Sequence, residues 1–256
     1  MGEPLIQFNQ VCKRFGDNVV LDGVDLSIFK GQVTTIIGKS GIGKSVLLKH
    51  IIGLLEPDAG EILFEGRPLS AMTKAERRAL KMKFSYMFQG TALFDSMTVY
   101  DNVALPLKEN RRVAFNEIKG RVGDKLAQLD LIGIEDKYPS QLSGGMKKRV
   151  AMARALVTEP RIVLFDEPTT GLDPIRKNAA HRMISEYQQA FGFTGVMVSH
   201  EIPDVFHISQ RIAMLDGGRI LFQGSPEEIQ SSEEPAIRHF IRGEVPEGEE
   251  YNGLHD

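Results

Sequence analysis

Short apolar runs punctuate this chain. Residues 33–37 (Val-Thr-Thr-Ile-Ile), 84–88, 162–165 and 194–199 each end on glycine, on a polar residue or on an acid. Such runs, bounded by turn residues, read as strands buried on both faces of a sheet. Around them lie weaker strand signals. Residues 5–12 alternate loosely, and 19–21 and 24–28 look like two further short strands. Together they predict a small antiparallel sheet that feeds the run at 33–37. A strand follows at 61–66, and 212–215 and 219–223 form a hairpin about Asp216-Gly217-Gly218. Helices are predicted over 45–52, 73–81 and 176–190, with a last one starting at Pro226. Between Gly90 and about Val157 the strand signals stop. Apolar positions recur at Val99, Val103, Leu105, Val122, Leu126, Leu129 and Leu131, which predicts a mostly helical lobe. The fold expected is α/β. Its core covers 1–89 and 158–242, the inserted lobe 90–157, and an acidic tail 243–256.

The stretch Gly38-Lys39-Ser40-Gly41-Ile42-Gly43-Lys44-Ser45 fits the pattern G-x-x-x-x-G-K-[ST]. It sits between a predicted strand and a predicted helix, the context that this phosphate-binding loop requires. Glycines allow a tight turn whose N–H groups converge, and the helix N-terminus that carries Val46 adds its own. Lys44 can reach outer phosphates, and the Ser45 hydroxyl can hold Mg²⁺. At 162–165 a wholly apolar strand ends in Asp166-Glu167. Two acids there are either a solvated strand edge or a working pair. With the loop upstream, they read as an ion-binding Asp166 and a general base Glu167 that polarises the attacking water.

Three positions stay open to two readings each. Gln89 either reaches a bound ion and its water or is an ordinary polar residue. His200 either contacts a terminal phosphate or caps the helix near Glu201. Phe15 either covers an adenine ring or belongs to the core. Ser143-Gly144-Gly145 forms a second anion-binding nest at a helix start. One nucleotide needs one cradle, so the second makes sense if it closes on the nucleotide of another copy. That arrangement is a head-to-tail homodimer with two sandwiched ATP molecules.

Composition narrows the partners. The chain has 256 residues, 42% of them hydrophobic, with 31 basic and 34 acidic side chains and a formal charge of -3. That balance gives no support for bulk nucleic-acid binding, and the basic clusters Arg111-Arg112 and Lys147-Lys148-Arg149 read as solvated faces. Cys12 is the one cysteine, so no internal disulfide forms. No signal peptide is visible, and no apolar run reaches the roughly 18 residues of a membrane span.

These motifs together resemble the nucleotide-binding subunits of ATP-binding-cassette (ABC) transporters. The matches are Gly38 to Ser45 (Walker A), Gln89 (Q-loop), Leu142 to Met146 (signature), Ile162 to Glu167 (Walker B and catalytic glutamate), Gly171-Leu172-Asp173 (D-loop) and His200 (switch histidine). Phe15 matches the family's adenine-stacking aromatic. The resemblance spans residues 5 to about 230 and implies ATP and Mg²⁺ as cofactors. It also implies an ATPase dimer that grips two permease subunits at the cytoplasmic face of the inner membrane, with membrane association only through them. A finer resemblance rests on Met146, on Pro203 shortly after His200, on Gly41 to Ser45 and on Phe94 to Val103. These are similar to the ATPases of the Mla phospholipid transporters, whose complexes include a permease and a periplasmic Mce-domain protein. Lys39 stands where that loop usually has proline, and Ser45 where threonine is commoner. Alternatives left open are a transporter for lipopolysaccharide or a small solute, and a soluble ATPase of iron–sulfur cluster assembly.

Overall fold

The computed structural model describes residues 3–87, 91–109 and 113–244. Ten strands among these residues form two sheets. The smaller has the order β2-β1-β4-β5, with β1 Pro4–Phe15, β2 Asn18–Phe29, β4 Ala59–Phe64 and β5 Arg67–Pro68, all antiparallel. The larger has the order β10-β9-β3-β8-β7-β6, with β3 Val33–Ile37, β6 Phe84–Met87, β7 Ile162–Asp166, β8 Thr194–Ser199, β9 Arg211–Asp216 and β10 Arg219–Gly224. Strands β6, β7, β8, β3 and β9 run parallel, and β10 returns antiparallel along the edge.

Alternation along the parallel strands divides the core in two. Ile36, Leu164, Val196, Val198 and Leu215 point to one face. There they pack against the antiparallel sheet and against Leu47, Leu48 and Ile51 of helix α1 (Lys44–Ile51). Their neighbours Ile37, Val163, Phe165, Met197 and Met214 point to the other face. That face is covered by helices α3 (Val99–Glu109), α4 (Phe115–Gln128), α5 (Gly144–Leu156) and α6 (Pro174–Phe191). Period-two side chains on a sheet covered on both sides explain why these strands read as continuous apolar runs. Helix α2 (Lys74–Lys81) opens with a Thr73–Glu76 capping box; α7 (Pro226–Gln230) and α8 (Pro235–Arg242) close the described chain.

Three sequence expectations change. Residues 19–21 and 24–28 are not two strands but one, β2, because Asp22-Gly23 forms an irregularity inside the ladder with β1 rather than a turn. Gly23 sits at φ 68° and its N–H donates to Cys12 Sγ at 3.2 Å. Leu105 is only half-buried; Val99, Val103 and Leu107 form the inward stripe of α3 at four-residue spacing. The C-terminal helix predicted from Pro226 is two helices, because α7 ends at Gln230 and α8 restarts at Pro235.

Asn102 fixes the entry to α3. It is fully buried, and its amide donates to the carbonyls of Phe94 (3.0 Å), Met97 (3.1 Å) and Thr98 (3.0 Å) while its oxygen accepts from Phe94 N (2.8 Å). Replacing Asn102 with Ala takes the side-chain partner from Phe94 N–H and Met97 O, while the carbonyls of Phe94 and Thr98 keep the N–H groups of Met97 and of residue 102. It is expected to lower unfolding stability by about 2–3 kcal/mol, read as a lower denaturant midpoint at unchanged slope. A midpoint equal to wild type would contradict this role of Asn102 in the loop.

Candidate nucleotide site

Strand order builds the site. β3 and β7 both lie against β8, so the loop after β3 and the acids ending β7 emerge at the same carboxyl edge of the sheet. Ligands in open α/β sheets bind at that edge. The loop needs glycine at three places, for two different reasons. A Cβ on Gly38 (φ 153°) would lie 2.4 Å from Leu215 O, and one on Gly43 (φ 110°) would lie 2.6 Å from Val20 Cγ1. Gly41 (φ 75°) faces open space and needs glycine for its backbone alone. Lys39, Ser40 and Gly41 are exposed, and Ile42 and Val46 pack partly on the core below.

Lys44 is 4% exposed, and its ammonium donates to Gly38 O and Lys39 O, each at 2.8 Å. The cation thus folds back on the loop's own carbonyls. Burial pushes its pKa down, opposed by the charges of Glu167 and Asp166. Glu167 Oε1 lies 4.0 Å from the ammonium. Ser45 Oγ donates to Asp166 Oδ1 at 2.9 Å. A hydroxyl and a carboxylate oxygen brought to one point are a fit for Mg²⁺. That ion takes one or two protein oxygens and leaves its remaining positions to phosphate and water. Among the described residues no cluster of three or more His, Cys, Asp or Glu offers a self-contained metal cage.

Glu167 occupies a left-handed backbone conformation (φ 48°), uncommon for a non-glycine residue. Its N–H donates to Val198 O (3.1 Å), which ties it to β8. Oε2 accepts from Thr170 Oγ1 at 3.0 Å, and Oε1 lies 3.3 Å from His200 Nδ1. His200 therefore faces Glu167 and caps no helix. Phe15 is 48% exposed, so it is not a core residue; the Lys13 ammonium lies 5.7 Å from its ring centroid. It ends β1 on the hairpin whose β2 strand carries Val20 against Gly43.

Ser143, Gly144 and Gly145 do not join this cluster. Ser143 Oγ accepts from Met146 N (3.3 Å) as the N-cap of α5, and the two glycines face open space. Gln89, Arg111, Arg112 and the tail from 245 lie outside the described residues. Asp173 caps α6, accepting from Arg176 N at 3.0 Å.

One contributor escaped the sequence. Tyr86 OH donates to Asp166 Oδ2 at 2.6 Å, and burial, reinforced by that bond, holds its phenol well above its usual pKa. Its signal is faint: a phenol in a short strand, opposite Leu164 of the acid-bearing strand.

A parallel sheet with this loop, a strand-end Asp-Glu pair and a hydroxyl on the Asp defines a P-loop nucleotide hydrolase. The ABC transporter family pattern matches residues 21–170, and the chain belongs to that family. It is 38% identical over 93% of its length to the intermembrane phospholipid transport system ATP-binding protein MlaF of Escherichia coli K12, covering 89% of that protein. It is 35% identical over 95% to the protein of that name from Haemophilus influenzae, covering 92% of it. It is also 38% identical over 93% to the probable ribonucleotide transport ATP-binding protein mkl of Mycobacterium tuberculosis, of which it covers 66%. Among solved structures, cbiO1 from Clostridium perfringens, part of the ABC transporter complex cbiONQ, superposes with a TM-score of 0.82 at 30% identity, over 94% of this chain and 96% of that one. The protein has the α/β P-loop ABC ATPase fold and is an ATP-hydrolysing enzyme, with the ATP and Mg²⁺ use typical of the family. Among the described residues no helix is long and apolar enough to cross a membrane.

Changing Tyr86 to Phe removes the donor that fixes Asp166. The apparent Mg²⁺ affinity in ATP turnover is expected to weaken by about tenfold, the order found when a partner of a metal ligand is removed. A Mg²⁺ titration at saturating ATP measures it; an unshifted curve would show that Asp166 does not depend on Tyr86.

Proposed function

We propose that this chain is the ATPase subunit of a phospholipid transporter of the Mla type. It acts as a homodimer on a pair of permease subunits at the cytoplasmic face of the inner membrane, in a complex that includes a Mce-domain protein. The observation that carries the cargo is the match to the phospholipid-transport ATPase across nearly the whole of both chains, at 38% identity over 93% of this one. Met146 in the signature run and Pro203 after the switch histidine support it. A second reading, ribonucleotide transport, has one observation in its favour: equal identity to the mycobacterial protein named for that cargo.

Each site residue has a place in the hydrolysis. The loop from Gly38 to Ser45 turns its N–H groups toward the phosphates. Lys44 exchanges the carbonyls of Gly38 and Lys39 for phosphate oxygens, so a cation already desolvated by the fold meets the charge of the substrate. Ser45 and Asp166, with Gln89, hold Mg²⁺, which when bound supplies a Lewis acid for the phosphate oxygens. Glu167 takes the proton of the attacking water, while His200 and Thr170 fix the orientation of its two oxygens. Phe15 covers the adenine. Ser143, Gly144 and Gly145 complete the site of the second copy, carried there by the helical lobe at 90–157. Their open surroundings suit that role, because an N-terminal nest of α5 with nothing over it is available to a facing phosphate.

Purification of the tagged chain from detergent-solubilised membranes tests the cargo and partners, with bound lipid identified by mass spectrometry. A multi-span permease, a Mce-domain protein and phospholipid are expected. A different permease, or ribonucleotide dependence, would overturn the phospholipid reading. Replacing Glu167 with Gln is expected to cut ATP turnover by a factor of about a hundred or more, on the order of a lost general base, with ATP binding retained. Turnover equal to wild type would remove Glu167 from the base role.

A further inference from the structure

Glu201 directly follows His200 but turns away from the nucleotide cluster. Its side chain is 8% exposed. Oε1 accepts from Lys177 Nζ at 2.6 Å, and Oε2 accepts a short hydrogen bond from Thr169 Oγ1. Its own N–H donates to Ser199 Oγ at 3.1 Å, at the end of β8. Thr169 is 1% exposed and stands two residues after Glu167, and its carbonyl accepts from Leu172 N at 3.2 Å. Lys177 lies in the first turns of α6, the helix that Asp173 caps. One buried carboxylate thus joins the segment of His200, the loop of Glu167 and the helix behind Asp173. Burial works against the charge on Glu201, but the Lys177 and Thr169 hydrogen bonds outweigh it and hold the carboxyl below its usual pKa. Lys148 of α5 and His181 of α6 add their charge or dipole to the same field.

The consequence is geometric. Glu167 and His200 sit at the ends of adjacent strands, each followed at once by a turn. The 3.3 Å between Glu167 Oε1 and His200 Nδ1 is kept only if the turns hold their relative position. The Glu201–Thr169 bond is a direct side-chain link between those two turns. We propose that Glu201 is a positioning residue for ATP hydrolysis: through Thr169 and Lys177 it holds the loop of Glu167 against the segment of His200. The proposal rests on Glu167 acting as the general base and His200 as its orienting partner. Glu201 bonds Lys177, Thr169 and Ser199 rather than the Gly38–Ser45 loop or Asp166, and a misplacement of about an ångström in the Glu167–His200 pair costs on the order of a hundredfold in rate.

The test uses the complex isolated from membranes, with kcat, KM for ATP and ATP affinity measured for Thr169→Val, Glu201→Ala and Glu201→Gln. Thr169→Val keeps the shape of the side chain and loses only the hydroxyl, so it guards against a Glu201 variant that fails to fold. The expected result is a fall in kcat of about tenfold or more for Thr169→Val and Glu201→Ala, with KM and ATP affinity within about twofold. Glu201→Gln, whose amide oxygen still accepts from Thr169, should recover much of the loss. Combined with His200→Ala in single-turnover measurements, Thr169→Val should add little further slowing, because it acts through the pair that His200→Ala has already broken. Wild-type kcat in Thr169→Val, or effects that multiply fully with His200→Ala, would overturn the positioning role. If Glu167→Gln retained turnover, the underlying site assignment would fall instead, so the two failures are separable.

Discussion

The 2.9 Å contact between Ser45 Oγ and Asp166 Oδ1 is the joint on which the molecule turns. It links two parts of the chain that are 121 residues apart, and it exists because β3 and β7 flank one strand, β8. Everything that sets their register therefore sets the site. The two-faced apolar strands fix the order, since a slip of one residue would turn each strand's core face to the wrong layer. The antiparallel sheet then delivers Val20 against Gly43 and pins the loop from the side. Tyr86 reaches Asp166 from β6 on the far side. Ser45, Asp166 and Tyr86 are thus brought together by three strands and one helix of the core, while Glu167 follows β7 and His200 follows β8.

The sequence showed the local chemistry and left the cross-chain chemistry hidden. The loop from Gly38 to Ser45 and the Asp166-Glu167 pair are contiguous motifs with a fixed mechanical context, so they could be read directly. The near-continuous apolar runs of β7 and β8, buried on both faces, marked them as core strands. What stayed hidden depends on neighbours distant in sequence. Nothing in the run of β6 says that it lies beside β7, so the phenol of Tyr86 looked like one more core aromatic. The ladder irregularity at Asp22-Gly23 mimicked a turn because both features need a glycine at positive φ. Leu105 failed as a core position because the stripe of α3 is set by Val99 and Val103, four residues apart, and continues to Leu107 rather than to the intervening leucine. Glu201 gave no signal beyond its place after His200; its role needs the fold to bring Thr169 and Lys177 to it.

The same division explains why chemistry is better defined than cargo. Phosphate recognition is written in backbone geometry and a handful of side chains within this chain. In the function proposed above, cargo recognition belongs to the membrane partner. Two relatives at 38% identity bear names with different cargoes, in keeping with hydrolysis common to both and transport specificity that lies elsewhere. Helices α5 and α6 pack on the same face of the parallel sheet. Glu201, with Lys177 of α6 on one side and the field of Lys148 of α5 on the other, stands where those helices meet the turns that carry Glu167 and His200.

The most direct measurement is transfer of labelled phospholipid by the complex reconstituted in vesicles, monitored together with ATP hydrolysis. Lipid movement should require ATP and Mg²⁺ and stop in the Glu167→Gln complex, with no uptake of labelled ribonucleotide. Hydrolysis that proceeds while phospholipid stays in place and ribonucleotide crosses would contradict the phospholipid assignment.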